Sequence, residues 1–446
     1  MKVKLYRSAT VGVEISNFKI LCDPWLTNGE YFGSWSHFPY YDMDLNLNEL
    51  NSYDAIYISH IHPDHCSEET LKKLNKDIPV FIHSFHSKFL KFKIERLGFK
   101  VKEIENNVKF EISKNVHIKI ISADNCNPSL CFKHFGCADL SAKKGSQQID
   151  TMCIIEDNKE VLINVNDCPY ELAESHIKKI KNEYEKIDVL LTGYQNASAY
   201  PQCFENLNDS QKKIGGKMAS QRCLDRALLF IKSLNPKYYL PFAGTYTLSG
   251  ELSSLNLKRY VPTIDEAYDY LKNHLQNNMS CAIKINPDVT FDTYLNESTS
   301  RFKKFDFKNW QKYITNELSK INYTYENQKD VNLNDIKDLA SQSLKKWIDK
   351  KKQFNVNLKT TIFIHFDDQI IELCPNNQLN FLHISDIPCH KNFVKFRLKK
   401  KLLFNLLNGP KFAHWNNAEI GSHIFFDRNP DIFERNVYSS MSYFHI

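Results

Sequence analysis

A short loop with three histidines and one aspartate constrains this 446-residue chain more than any other feature. The loop follows 54–59, which has the pattern of a buried strand, and it carries His60, His62, Asp64 and His65. A strand end fixes the backbone, so a tight loop there directs alternate side chains toward one point. Imidazole binds Fe, Zn, Mn or Cu, and a carboxylate adds a harder ligand. The sequence therefore predicts a metal site in this loop.

The segments around the loop predict a layered α/β fold. Short apolar or alternating stretches separated by turn residues fill the first 165 residues. Strand–helix alternation follows, with helices expected over 170–186 and 217–234. Strands first, then alternating strands and helices, indicate a sheet core covered by helices.

Around residue 300 the sequence changes to Lys-rich helical segments, and strand formers return some sixty residues later. We therefore predict three parts, a large first domain, a helical connector and a small α+β domain, over 1–297, 298–354 and 355–446. The segment 392–409 is a strand, a Leu-rich helix and Gly-Pro, and it weakly resembles sterol-carrier domains. For 415–421 we weigh a pocket lining or a subunit contact within a homo-oligomer against plain packing.

The pattern H-x-H-x-D-H after a strand resembles the metal-binding motif of the metallo-β-lactamase superfamily. That resemblance implies a catalytic αββα sandwich in which a later strand ends in a metal-bridging aspartate, here Asp167. More narrowly, three segments are similar to the metallo-β-lactamase-like part of the CMP-N-acetylneuraminate hydroxylase family, namely 22–26, 151–155 and 240–246. That family oxidises the N-acetyl group of a CMP-linked sialic acid, so the resemblance implies oxidation of a sugar or sugar nucleotide.

The first metal position is expected to use His60 and His62. The superfamily usually adds a histidine after a later strand, but here that strand ends at Asp124. We take Asp124 as the third ligand and keep His134 as the alternative. Two histidines and one carboxylate with open positions suit non-haem Fe(II) and oxygen activation. We therefore favour one or two Fe ions, with Zn or Mn as alternatives.

A second metal position is expected to be weak or empty. The resemblance supplies Asp64, His65 and Asp167 there, but the usual last histidine is replaced by Ala243. If no second metal binds, Asp64 is free for acid–base catalysis. Asp23 is expected to orient the histidine loop by accepting hydrogen bonds, the alternative being a simple turn-forming residue.

Four residues are candidate substrate contacts. Trp35 and His37 lie in an aromatic loop that could stack on a base or sugar, with core packing as the rival explanation. Tyr200 stands where the resemblance places a substrate-side loop. Lys217 follows Gly215-Gly216, which we expect at a helix start, where backbone amides suit a phosphate.

The favoured function is oxidation, most simply hydroxylation, of a small sugar-like molecule. The alternatives are metal-dependent hydrolysis of a phosphoester, lactone or amide, and a non-catalytic binding module with a degraded site. Hydroxylases of the resembled family also carry an N-terminal Rieske domain. Here Cys131 and His134 form a C-x-x-H without an upstream C-x-H to complete a Rieske cluster. If the protein is an oxygenase, we therefore expect a separate electron-transfer protein or the substrate itself to supply the electrons.

Charge and hydropathy exclude several other classes. The chain has 58 basic and 52 acidic residues, and its basic runs are short, so we expect no nucleic-acid partner. No apolar run approaches the roughly 18 residues that a membrane span needs. The first residues lack the apolar core of a secretory signal, and we interpret most of the twelve cysteines as reduced thiols. These features together predict a cytoplasmic protein.

Overall fold

The computed structural model describes residues 1–123, 150–275, 279–388 and 391–446. The strands up to residue 298 are β1 Lys2–Arg7, β2 Thr10–Ile15, β3 Phe18–Cys22, β4 Trp35–Ser36, β5 Ala55–Tyr57, β6 Val80–His83, β7 Val101–Ile104, β8 Lys109–Ser113, β9 Val116–Ser122, β10 Thr151–Glu156, β11 Val161–Asn164, β12 Val189–Gly193, β13 Tyr238–Phe242, β14 Thr247–Leu248, β15 Cys281–Ala282, β16 Val289–Asp292 and β17 Glu297–Ser298. The α-helices in the same part are α1 Leu47–Leu50, α2 Glu68–Lys73, α3 Phe89–Glu95, α4 Tyr170–Glu183, α5 Asp209–Leu234 and α6 Ile264–His274.

Two sheets face each other in this part of the chain. One has the strand order β17-β16-β1-β2-β3-β5-β6-β7, and the other has β15-β13-β12-β11-β10-β9-β8. Alternate residues of one strand point to opposite faces, so β10 directs Cys153 and Ile155 between the sheets and Ile154 toward the helices. Helices α1 to α3 cover the first sheet, and α4 to α6 cover the second. The predicted αββα sandwich is confirmed.

Helix α5 begins earlier than the sequence analysis placed it. Its N-cap is Asn208, whose side chain accepts the Gln211 amide while the Gln211 side chain accepts the Asn208 amide. Gly215 and Gly216 therefore lie inside the helix, where backbone amides already donate to helical carbonyls. The expected phosphate site at a helix start beside Lys217 is wrong.

The remaining chain forms a third, smaller sheet with helices. Its strands are β18 Thr361–Phe366, β19 Gln369–Leu373, β20 Leu379–His383, β21 Phe393–Arg397 and β22 Phe425–Asn429, in the order β20-β19-β18-β21-β22. Its helices and those before it are α7 Phe307–Asn316, α8 Leu333–Gln353, α9 Lys400–Leu407, α10 Trp415–Ile420 and α11 Arg435–Met441. In the described ranges, no helix combines the length and apolar character required to cross a membrane.

The C-terminal sheet shares a hydrophobic core with residues near the histidine loop. Leu402 and Trp415 belong to the same buried cluster as Trp25, Tyr31 and Trp35. Apolar burial of this kind is the main favourable contribution to packing. The C-terminal part thus packs directly against the side of the sandwich that carries the loop. The domain boundaries themselves stay predictions.

Candidate metal centre

The histidine loop connects β5 to α2 and is held by the end of β3. Asp23, just after β3, accepts the Ser59 amide at 2.7 Å and contacts His65 Nδ1 through Oδ2 at 3.1 Å. Asn166, after β11, donates to the same Asp23 oxygen. Ser67 caps α2 by accepting the Thr70 amide. Asp23 thus makes the orienting contacts that the sequence suggested.

His60 and His62 turn two ring nitrogens toward each other. His60 Nε2 lies 3.0 Å from His62 Nδ1, while Ser59 Oγ lies 2.8 Å from His60 Nδ1. The outer nitrogen of His62, Nε2, is 3.1 Å from Asn416 Oδ1. Because an amide oxygen only accepts, Nε2 carries the proton and Nδ1 keeps its lone pair. Metal-binding histidines are oriented in the same way, with one nitrogen held from outside.

A second cluster lies next to this pair. His65 Nε2 is 3.2 Å from Asp167 Oδ2 and 3.5 Å from Asp64 Oδ2, yet this buried nitrogen makes no well-directed hydrogen bond to a described residue. Tyr31 Oη donates to Asp64 Oδ1 at 2.5 Å. His60, His65 and Asp167 each offer one potential ligand atom, and these three atoms lie within 4.8 Å of one another. This donor set fits a metal ion.

Electrostatics differ between the two groups. Burial lowers the pKa of His60 and of His62, so both rings are neutral at pH 7. Burial also disfavours a charged His65, but Asp167 and Asp64 outweigh it and raise the pKa of His65 well above its usual value. Desolvation acts against ionised Asp64 too, but the neighbouring His65 outweighs it and lowers the pKa of Asp64. The first pair is therefore uncharged, and the second cluster places His65 beside two carboxylates.

Asp150 is a site residue that the sequence analysis missed. Its Oδ1 lies 3.8 Å from His60 Nε2, and its backbone oxygen accepts the Ala123 amide. Both predicted third ligands, Asp124 and His134, fall outside the described residues, so those predictions stand untested. A carboxylate directly before β10, which pairs with β9, was the available sequence signal for Asp150.

The predicted substrate contacts are not brought to the metal cluster as a group. Trp35 is fully buried and stacks on Tyr246 with ring centroids 3.3 Å apart, and His37 is buried against Trp25 at 4.0 Å. In this structure both side chains are packed against core aromatic residues, as the rival explanation expects.

The other two predicted substrate contacts, Tyr200 and Lys217, differ in their exposure to solvent. Tyr200 is half-buried and lines a cleft with Gly216. Lys217 is exposed on α5, nine residues into that helix. A substrate-binding role for these side chains stays a prediction.

The C-terminal part contributes two contacts that sequence reasoning missed. One is Asn416, from α10, on His62. The other is His423, whose Nε2 lies 2.8 Å from the Tyr31 carbonyl oxygen. The Tyr325 hydroxyl lies 3.0 Å from Nδ1 of the same His423 ring. Since Tyr31 in turn holds Asp64, the C-terminal part contacts both halves of the site.

The two facing sheets and the helices on their outer faces have the metallo-β-lactamase fold. Residues 2–202 match the model of the Beta-lactamase superfamily domain.

Two relatives and one solved structure illustrate the similarity. The chain is 29% identical over 244 residues to a Mycolicibacterium smegmatis protein provisionally named as a Rieske 2Fe-2S iron-sulfur protein, covering 53% of this chain and 42% of the relative. It is 28% identical over 242 residues to the Danio rerio cytidine monophosphate-N-acetylneuraminic acid hydroxylase, covering 51% of this chain and 35% of that enzyme. The chain thus spans less than half the length of these relatives.

A solved structure of an isothiocyanate hydrolase from Delia radicum gut bacteria has a TM-score of 0.44 and 13% identity, covering 68% of this chain and 99% of the hydrolase.

Proposed function

We propose that this protein is an iron-dependent oxygenase that hydroxylates a sugar, a sugar nucleotide or a related metabolite. The observation that carries the proposal is the pair of facing nitrogens, His60 Nε2 and His62 Nδ1, with the Asp150 carboxylate 3.8 Å from His60. Two neutral imidazoles and one carboxylate suit Fe(II) with open positions. Similarity to a named hydroxylase supports oxidation of a sugar nucleotide.

Different residues of the chain would bind the iron and orient its ligands. His60, His62 and Asp150 would hold the iron, which when bound supplies oxygen activation. Asn416 keeps the His62 imidazole in the tautomer whose Nδ1 lone pair faces His60, and Ser59 Oγ contacts Nδ1 of the His60 ring. These outer contacts fix ring orientation before any ligand arrives.

Asp64 is the proposed acid–base residue. His65 and the Tyr31 hydrogen bond keep its carboxylate ionised, and it is buried beside the histidine pair. An ionised carboxylate in that place can accept a proton from a substrate hydroxyl or a water molecule.

Hydrolysis is the second candidate function, and one specific observation favours it. Asp64, His65 and Asp167 form a compact second cluster beside the first pair. Two adjacent metal positions commonly serve to activate water in hydrolases. Filling of both positions by Zn would favour this candidate.

Metal analysis of anaerobically purified protein tests the proposal. We expect iron in the protein, and oxygen consumption that depends on substrate and a reductant. Tightly bound Zn with turnover in the absence of oxygen would identify the hydrolase instead. Absence of tightly bound metal under these conditions would support the third hypothesis, a binding module.

We also propose a separate electron-transfer protein as partner. Hydroxylation with O₂ needs two electrons beyond those of the substrate bond, and the 446 residues contain no complete Rieske cysteine–histidine pattern. We expect no sustained turnover by the purified chain with NAD(P)H alone. Such turnover would contradict this part of the proposal.

A further inference from the structure

Arg259 is a buried cation without an anionic partner among the described residues. Its side chain is 4% exposed, and Nη1 donates to the Tyr246 carbonyl oxygen at 2.7 Å. Within the described ranges, Nη2 has no hydrogen-bond acceptor and no carboxylate lies within ion-pair distance. A guanidinium stays protonated in proteins, and a buried, unpaired charge is strongly unfavourable. A bound ligand with an anionic oxygen would supply the missing hydrogen-bond acceptor.

Stacking holds this guanidinium in place. Its central carbon lies 3.5 Å from the centroid of the Tyr246 ring, and Trp35 stacks on Tyr246 at 3.3 Å and 7°. Two groups this close to one centroid occupy opposite faces of the ring. Arginine stacks well on aromatic faces and keeps its edge available for paired acceptors.

A tilted ring contact links this stack to Tyr31, which contacts the histidine loop. The Trp35 ring lies 4.3 Å from Tyr31, whose hydroxyl donates to Asp64. Arg259 and the proposed acid–base residue are therefore joined through three successive aromatic side chains.

Arg259 lines a narrow polar cleft between α5 and the segment after β12. The other polar side chains of this cleft are Asn196, Ser198, Tyr200, Gln202 and Ser220. Its walls stand too close together to admit a water-sized sphere, so a ligand enters only if a side chain moves. Tyr200 is half-buried and its hydroxyl lies over Gly215, which makes it the side chain that would turn outward.

Gln202 places a second buried polar atom without a hydrogen-bond partner among the described residues in the same cleft. Its Nε2 donates to the Ser198 carbonyl oxygen at 2.6 Å and lies 3.2 Å from Ser422 Oγ, which fixes the amide. Its Oε1 is buried and has no donor among the described residues. The cleft thus lacks an acceptor for Arg259 and a donor for Gln202.

We propose that Arg259 and this cleft form an oxyanion subsite for the substrate. The missing partners match a ligand that carries a carboxylate or phosphate next to a hydroxyl, as in a sugar acid or a sugar phosphate. Guanidinium binds either group with two parallel hydrogen bonds. The assignment to a substrate rests on the proposed function, whereas anion binding at Arg259 does not require a metal.

Thermal unfolding with added anions tests the subsite. Inorganic phosphate and acetate are the two probes, titrated against chloride at constant ionic strength into the full chain. We expect at least one of them to raise the Tm of the wild type. A larger rise with phosphate would indicate a phosphate site, and a larger rise with acetate would indicate a carboxylate site. In Arg259→Met, anion affinity should fall by at least about tenfold, because a charge-assisted hydrogen-bond pair is lost. Arg222→Met, an exposed arginine on α5, is the matched control and should behave as the wild type.

A second variant keeps the test decisive if Arg259→Met does not fold. Gln202→Glu places a carboxylate in the cleft, which should pair with Arg259 and abolish the anion response. Equal anion responses in wild type, Arg259→Met and Gln202→Glu, or no response in the wild type, would overturn the subsite. His60→Ala separates the two proposals, because it should lose metal and keep the Arg259-dependent anion response.

Discussion

The two halves of the metal centre are supported from different parts of the chain. The cluster of Asp64, His65 and Asp167 is oriented mainly from inside the sandwich, where Asp23 holds His65. The pair of His60 and His62 depends on a residue 354 positions away, because Asn416 holds the outer nitrogen of His62. The difference shows that the sandwich holds His65 directly, whereas the C-terminal part contacts His62 directly and reaches Asp64 only through Tyr31.

Removing a ligand is the strongest way to break this arrangement. His60→Ala or His62→Ala should abolish metal binding at the first position and, with it, activity. The loss should exceed the roughly 10–100-fold that follows from removing an outer partner of a ligand. Metal content after dialysis and oxygen consumption are the measurements, with exposed His86→Ala as the control. Full metal occupancy in both variants would refute the assignment of these ligands.

Asp23→Ala should disturb the half that the sandwich supports. It leaves the buried Ser59 amide without its acceptor and frees the His65 ring. An unsatisfied buried donor costs about 1–3 kcal/mol of stability, and metal affinity at the second cluster should fall roughly 10–100-fold. Chemical denaturation and chelator competition measure the two effects. Asp44→Ala, an exposed aspartate paired with Lys73, should change neither.

Asn416→Ala should affect the other half selectively. Without the amide oxygen, the His62 tautomer is no longer fixed, so affinity at the first position should fall about tenfold while the second cluster is unchanged. Asn416→Asp keeps an acceptor and should retain most of the affinity. The neighbouring Asn417→Ala is the control. An equal loss at both positions would show that α10 acts through general packing.

The smallest effect on metal binding is expected at Ala243. This residue is 1% exposed and has a φ of 64°, a conformation that side chains other than glycine adopt at a cost. Ala243→His should lower the free energy of unfolding by about 1–3 kcal/mol through overpacking, and it should slow loss of a second metal during dialysis. If the wild type already retains two metals after prolonged chelation, the second position has another ligand and the comparison must be revised.

The sequence predicted features that depend on local pattern. The strand and loop around His60 rest on adjacent residues, and the αββα sandwich follows from a motif and from the order of strands and helices. The error at Lys217 was also local, because Asn208 and Gln211 form a capping box that the sequence displays.

Contacts between distant segments could not be predicted in this way. Nothing near Asn416 in the sequence indicates that its amide faces His62, since only the packing of α10 against the loop brings them together. For Trp35 and His37 the sequence left two explanations open for the same reason. Aromatic residues in a loop can cover a ligand or fill a core, and the choice here depends on packing against Tyr246 and Trp25.

The long separation between His62 and Asn416 also has a consequence during biosynthesis. A ribosome adds about 5–20 residues per second, so the 354 residues between them take roughly 20 to 70 seconds to synthesise. Until then the nascent chain carries a histidine pair whose second ring can still rotate. The His62 ring is therefore held in its final orientation only after α10 has emerged from the exit tunnel.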